Sequence, residues 1–121
     1  MDASDILDDL LSNLRTELGD GFSAISNFAR VQGEMLAKQA ARIARSRIDG
    51  DLADDDDFYN WLLGGLERDT ANMARSIAVL TVLTIEKAWN ALVNALWGGI
   101  RSILTAAGLP APLIPETPPH A

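Results

Sequence analysis

The sequence contains no cysteine and only one histidine, and these absences exclude several kinds of site. Without cysteine the chain has no disulfide, no thiol nucleophile and no thiolate metal ligand. The histidine is His120, next to the C-terminus in a proline-rich stretch, where nothing would hold a general base or a metal ligand in position. The sequence therefore predicts no catalytic, cofactor-binding or metal site, and a protein that is not an enzyme.

Basic residues are also scarce, since 10 Lys and Arg stand against 17 Asp and Glu, for a net charge of -7. Binding to a nucleic acid backbone requires clustered basic residues, so nucleic acid is not an expected partner. Residues 1–5 are acidic, whereas a secretory signal begins with basic residues and continues with apolar ones. We therefore expect the protein to be made and kept in the cytosol.

Apolar residues, by contrast, are plentiful and recur at helical spacing. In residues 4–18 they alternate with aspartates in the pattern of an amphipathic helix, which Asp2 or Ser4 can cap and Gly19 can end. A second apolar stripe predicts a helix over residues 22–48. Lysine and arginine are concentrated in its last third, where they complement the negative end of the helix dipole.

Residues 58–107 form the third predicted helical region and contain no proline. As one straight helix this region would be about 75 Å long at 1.5 Å per residue, while a compact domain of this size has a radius of gyration of about 14 Å. Its apolar residues reach around most of the helix, which requires neighbours on more than one side. We therefore expect one of two arrangements. Either the region breaks at Gly64-Gly65 or Gly98-Gly99, or it stays long and is buried against other chains.

These patterns predict an all-α fold with one helical domain over residues 1–107 and an extended proline-rich tail over residues 108–121. Gly108 suits the position after a helix C-cap, with Leu109 as its hydrophobic contact, and Pro110 prevents the helix from continuing.

The apolar residues of the tail include Leu113 and Ile114, and burying their apolar surface against a protein would be favourable. We therefore expect the tail to lie along a groove, on its own bundle or on a neighbouring subunit. The alternative is a disordered terminus, which is the usual fate of final residues.

Residues 49–57 combine Gly50 with six aspartates, which suggests a calcium loop. Counted from Asp49, however, the sixth position is Asp54 and the twelfth is Asn60, where an EF-hand needs glycine and glutamate. The segment is therefore interpreted as a solvated acidic turn that caps the following helix.

Residues 76–100 carry only two charges, Glu86 and Lys87, near the middle of the stretch. These side chains are expected either to be buried and paired with a neighbouring helix or to face water at the edge of the apolar stripe. Charges at the centre of a membrane-spanning helix cost about 2.5 to 3.5 kcal/mol each. A membrane-active protein that inserts residues 76–104 is therefore the alternative hypothesis, less favoured than a protein assembly.

An acidic, cysteine-free helical chain with an aspartate-rich turn and a tryptophan-bearing apolar helix resembles the minor virion proteins of tailed bacteriophages. The resemblance implies a structural role in a repeating particle and assigns no role to any single residue. The apolar surface of the last helix likewise favours a structural or assembly subunit that binds copies of itself or a larger protein complex. The predicted interface consists of residue types that are common both at interfaces and in cores: Trp61, Leu83, Trp89, Val93, Leu96, Trp97, Ile100, Leu113 and Ile114.

Overall fold

The computed structural model describes residues 1–118, which form four α-helices and no β-strand. The helices are α1 (Ala3–Leu18), α2 (Ser26–Asp49), α3 (Asp56–Leu80) and α4 (Ile85–Ala106), and a 3₁₀ segment, Gly19–Ala24, connects α1 to α2. The predicted all-α fold is confirmed. His120 and the end of the predicted tail lie outside the described residues.

The first two helices begin and end close to the predicted positions. Asp2 caps α1 in a reciprocal capping box, in which its carboxylate accepts from the Asp5 backbone N–H at 3.1 Å while the Asp5 carboxylate accepts from the Asp2 N–H at 3.0 Å. The second helix starts at Ser26 rather than at residue 22, because the glycine-rich connection forms a 3₁₀ segment that places Phe22 in the core.

The third predicted region is not one helix, and neither glycine pair breaks it. The break lies at residues 81–84, between α3 and α4. The Thr81 hydroxyl donates to the Ile77 carbonyl at 2.7 Å and accepts from the Leu83 N–H at 3.1 Å, while the Thr84 hydroxyl accepts from the Lys87 N–H at 3.2 Å. Threonine side chains thus satisfy backbone groups that the two helix ends leave free.

The core is built around α4, which packs against α1, α2 and α3. Within the described residues α1 and α3 do not touch, so they occupy opposite corners of the bundle across the α2–α4 pair. Twelve of the 22 residues of α4 are buried, including Trp89 and Trp97. An apolar helix surface that extends around most of the circumference is therefore covered inside a single chain.

Of the four glycines in the two pairs, only Gly99 has a close packing neighbour. A Cβ atom at Gly99 would stand 2.6 Å from Cδ1 of Ile6 on α1 and nearer still to Cγ1. A Cβ at Gly98 would meet nothing within 4 Å, and at Gly64 and Gly65 it would meet only the far end of Arg68. Gly99 is therefore a point of close approach between α1 and α4.

The C-terminus of α4 ends in the predicted turn. Gly108 adopts φ 78°, its N–H donates to the Thr105 carbonyl at 3.0 Å, and the Leu109 N–H donates to the Leu104 carbonyl at 2.9 Å. This pair of bonds is a Schellman motif, and Leu109 packs against the core as its hydrophobic contact.

We predict that Gly99→Ala lowers the free energy of unfolding, measured by urea denaturation. Overpacking against Ile6 costs about 1 to 3 kcal/mol, which outweighs the gain in helix propensity. Gly98→Ala is the matched control, since its methyl group meets open space and the change should stabilise α4 by up to about 1 kcal/mol. Equal shifts in both variants would contradict the close approach of α1 to α4.

We also predict that Thr84→Ala destabilises the protein by about 0.5 to 2 kcal/mol, because α4 loses its N-terminal cap. Thr105→Ala is the control, since the Thr105 hydroxyl is exposed and bonds only to carbonyls of its own helix. If urea denaturation gives the same loss for both variants, the cap at residue 84 does not define the start of α4.

Candidate functional site

The structure separates the nine predicted interface residues into two groups. Trp61 is 65% exposed on α3, and Leu113 and Ile114 are exposed beyond α4. The other six are buried together in the core of the bundle, so they are not accessible to a partner of the folded chain. These six are Leu83, Trp89, Val93, Leu96, Trp97 and Ile100.

The burial of these six residues has a simple cause. The interpretation of α4 as an interface helix assumed that only the first two helices were available to cover it and that they would cover only part of its surface. The break at residues 81–84 turns α3 back onto α4 and supplies a third neighbour. An interface of the folded bundle therefore has to use other side chains.

A groove lies open between α2 and α3 and is called here the α2–α3 groove. It consists of three adjoining cavities of about 350, 360 and 530 Å³. Phe28 and Ser76 border both the first and the second cavity, and Met35 and Gln39 border both the second and the third. The groove therefore runs without interruption along both helices.

Apolar side chains line this groove and are open to solvent. Met35 on α2 is 62% exposed, and Phe58 and Val79 lie at opposite ends of the α3 wall with 43% and 84% exposure. Trp61 extends the apolar surface beyond Phe58, with the two ring centroids 6.0 Å apart. Exposed apolar surface that forms a continuous patch is typical of binding sites, whereas single exposed residues are not.

The charge of this face differs from that of the whole chain. Within α2 the five basic residues (Arg30, Lys38, Arg42, Arg45 and Arg47) outnumber the two acidic ones (Glu34 and Asp49), a balance of 5 − 2 = +3. The rest of the chain then carries −7 − 3 = −10. Lys38 and Arg42 border the groove at its Phe58 end, so the wall formed by α2 is basic there, while Asp51 borders the same cavity and Asp69 the adjoining one.

A second concave region, the strap cavity, lies where the chain passes α3 after leaving α4. The strap is residues 110–113, which have no regular secondary structure. The cavity has a volume of about 550 Å³. Besides the strap it is lined by Arg47 from α2, by Trp97 from α4, and by five residues of α3: Tyr59, Asn60, Leu63, Gly64 and Glu67.

Arg47 packs over the Tyr59 ring in the strap cavity and is bonded to the α2–α3 connection. Its guanidinium lies 4.4 Å from the centroid of the Tyr59 ring, donates to the Leu52 carbonyl at 2.8 Å, and pairs with the Asp56 carboxylate at 2.6 Å. Burial raises the pKa of the Tyr59 phenol above 10.0, and the charge of Arg47 partly opposes that shift. Burial also raises the pKa of the Glu67 carboxyl above 4.5, against the smaller effect of Arg68.

The charged segments singled out in the sequence lie on the surface. Asp55 caps α3 by accepting from the Phe58 N–H at 2.9 Å, so the capping role predicted for the acidic turn is confirmed. Within residues 1–118, no three acidic or histidine side chains are arranged to hold a metal ion. Glu86 and Lys87 are exposed in the first turn of α4, which corresponds to the water-facing alternative.

The sequence contained a signal for the α2–α3 groove that we did not use. Phe28 and Met35, which line the groove, are seven residues apart on α2, beside the stripe that faces the core, with the exposed Val31 between them. On α3, Phe58, Trp61 and Leu62 are spaced at i, i+3 and i+4. A helix that carries a second apolar stripe, in addition to the one that faces the core, indicates an interaction surface.

Two further findings bear on function. None of the helices formed by residues 1–118 combines the length and the apolarity needed to cross a membrane. Comparison with protein families, with curated proteins and with solved structures finds no match to this chain.

Proposed function

We propose that this chain is a structural or assembly subunit, without catalytic activity, which binds an acidic amphipathic helix of a partner protein in the α2–α3 groove. The observation that supports the proposal most strongly is the uninterrupted groove with solvent-exposed apolar residues on both walls. Recognition of an amphipathic helix in an apolar groove is a recurring mode of protein association.

The dimensions of the groove favour a helix as the occupant. From Phe58 to Leu80 the α3 wall spans 22 residue steps, or about 33 Å at 1.5 Å per residue. A helix of about 20 residues has that length. The apolar anchors on the two walls, Phe28 and Met35 facing Phe58 and Val79, allow contact along the whole occupant.

The charge of the groove favours an acidic occupant. Arg42 borders the groove with its side chain exposed, and within the described residues it has no ion pair. Lys38 is engaged only by Glu34 of its own helix, at 3.0 Å. Acidic side chains along the edges of a bound helix would complement both cations, accelerate association and disfavour basic competitors.

A second copy of this chain is a poorer occupant of the same groove. The acidic helix of a second copy is α1, whose exposed face is polar because Ile6, Leu10 and Leu14 are in the core. If the second copy used its own groove instead, two basic α2 walls would approach each other. Self-association through this face therefore lacks either apolar anchors or charge complementarity.

The context of the proposal comes from the sequence. Incorporation into a tailed-phage virion is supported by the resemblance described above and is part of the same proposal. The membrane-active alternative would have to insert residues 76–104, most of whose apolar side chains lie in the core. Flotation with liposomes separates this alternative from binding to a protein.

The proposal is tested with two designed helical peptides of about 20 residues. Both have leucine at i, i+3, i+4 and i+7, and they differ only in having glutamate or lysine at the flanking positions. We predict that the glutamate peptide binds at least about tenfold more tightly at low salt and that the difference shrinks as salt is added. Trp89 and Trp97 are buried, so protection from quenching on binding reports Trp61 at the end of the groove.

The variant Met35→Glu should weaken binding of the glutamate peptide about tenfold or more, because it places a carboxylate among the apolar anchors. Val82→Glu is the matched control, since Val82 is exposed in the α3–α4 turn and does not line the groove. Equal binding by both variants, or no preference between the two peptides, would contradict the proposal. Sedimentation of the protein alone, compared with that of Met35→Glu, shows whether a second copy occupies the groove instead.

A further inference from the structure

The strap cavity contains a buried hydrogen-bonding group that nothing in the described chain satisfies. Tyr59 is 7% exposed and lines the cavity, and its hydroxyl has no hydrogen-bond partner within residues 1–118. Leaving a buried hydroxyl unpaired is unfavourable by about 1 to 3 kcal/mol. The Arg47 guanidinium lies over the Tyr59 ring and is itself held by the Leu52 carbonyl and the Asp56 carboxylate.

The strap occupies this site incompletely. The Schellman turn fixes Leu109 against the bundle, and the chain passes the cavity immediately afterwards, so residues 110–113 start from a position set by that turn. None of residues 105–118 is fully buried, and Leu113 is 91% exposed. A space of about 550 Å³ remains between the strap and the helices.

The chemistry of the site suits an extended, proline-rich segment. Such a segment has no internal hydrogen bonds, so its carbonyl groups are free to accept from a tyrosine hydroxyl. Its proline rings pack on aromatic side chains, and the low entropy of the free segment reduces the cost of binding. The strap itself, Pro110-Ala111-Pro112-Leu113, demonstrates that this type of sequence fits beside Tyr59 and Trp97.

We infer that the strap cavity is a docking site for a proline-rich segment and that its full occupant is the tail of a second copy of this chain. A tail that arrives from another copy is not anchored at Leu109, so it can enter deeply enough for a backbone carbonyl to accept from the Tyr59 hydroxyl. Up to residue 118, the tail that it displaces has no fully buried side chain to lose. Exchange of tails would then link neighbouring copies. This site is separate from the α2–α3 groove, so either proposal can fail without the other.

The first experiment uses a chain that ends at Leu109, which retains every fully buried residue and the Schellman turn. Circular dichroism verifies its fold. A peptide with the sequence of residues 108–118 is then titrated into it. Tyr59 is the only tyrosine of the chain, so the ultraviolet absorbance of the phenolate reports this site alone. Because burial raises the pKa of Tyr59, truncation should lower that pKa toward 10.0, and the peptide should raise it again.

Two variants test how the peptide is recognised. Tyr59→Phe should weaken peptide binding about threefold to tenfold, which is the range that one neutral hydrogen bond supports. Val82→Ala is the control, because Val82 is exposed in the α3–α4 turn outside the cavity and should leave the affinity unchanged. A peptide with alanine in place of its prolines should bind more weakly. Equal affinity for the two peptides, or for the two variants, would overturn the assignment of the site.

The second experiment tests whether a second copy supplies the occupant. Labelled full-length protein is mixed with the chain ending at Leu109 and examined by sedimentation. A tethered strap has an effective concentration in the millimolar range. The truncated chain has no strap of its own and should therefore form a one-to-one complex at much lower concentration than the full-length protein forms dimers. Absence of this complex, with the peptide still bound, would show that the tail acts only within its own chain.

Discussion

The requirement to cover α4 on every side determines most of this structure. An apolar stripe can be buried against one or two neighbours, but a helix that is apolar around most of its circumference needs three. The chain provides them only because the polypeptide reverses direction at residues 81–84 and lays α3 against α4. The close approach of α1 at Gly99 serves the same requirement, since the absence of a side chain there lets Ile6 reach the α4 backbone.

The same arrangement explains why a groove remains open between α2 and α3. The core-facing apolar stripes of both helices pack against α4, and α2 also packs against α1. Residues such as Met35 and Val79 lie beside those core-facing stripes and are left without a neighbour. The groove is thus a consequence of a bundle in which one helix is central and the others surround it. The basic residues of α2 border this opening and distinguish it from the acidic remainder of the surface.

The sequence allowed the helical class, the first helix, the acidic cap and the turn at Gly108 to be predicted, because each depends on interactions within a few residues. The cap at Asp2 and the Schellman turn, for example, are each formed by residues that are close together in the sequence. The break at residues 81–84 was missed because glycine was taken as the stronger breaking signal, although a threonine that can cap a helix precedes Glu86. Trp89 and Trp97 were assigned to an interface because covering them depends on how α3 folds back, which periodicity within one helix does not reveal. Predicting the α2–α3 groove likewise requires knowing which apolar stripes of α2 and α3 pack against α4, and that depends on the tertiary fold.

The connection between α2 and α3 brings the two candidate binding regions close together. Successive residues of a helix point about 100° apart, so neighbours in sequence can serve different surfaces. Ser46 lines the α2–α3 groove, while the next residue, Arg47, lines the strap cavity. In the same way, Phe58 lines the groove and Tyr59 lines the strap cavity. Arg47 fastens this connection by bonding to the Leu52 carbonyl and to Asp56. One rigid corner of the bundle therefore contributes a wall to each region, so an occupant of either region contacts a helix end that also forms part of the other.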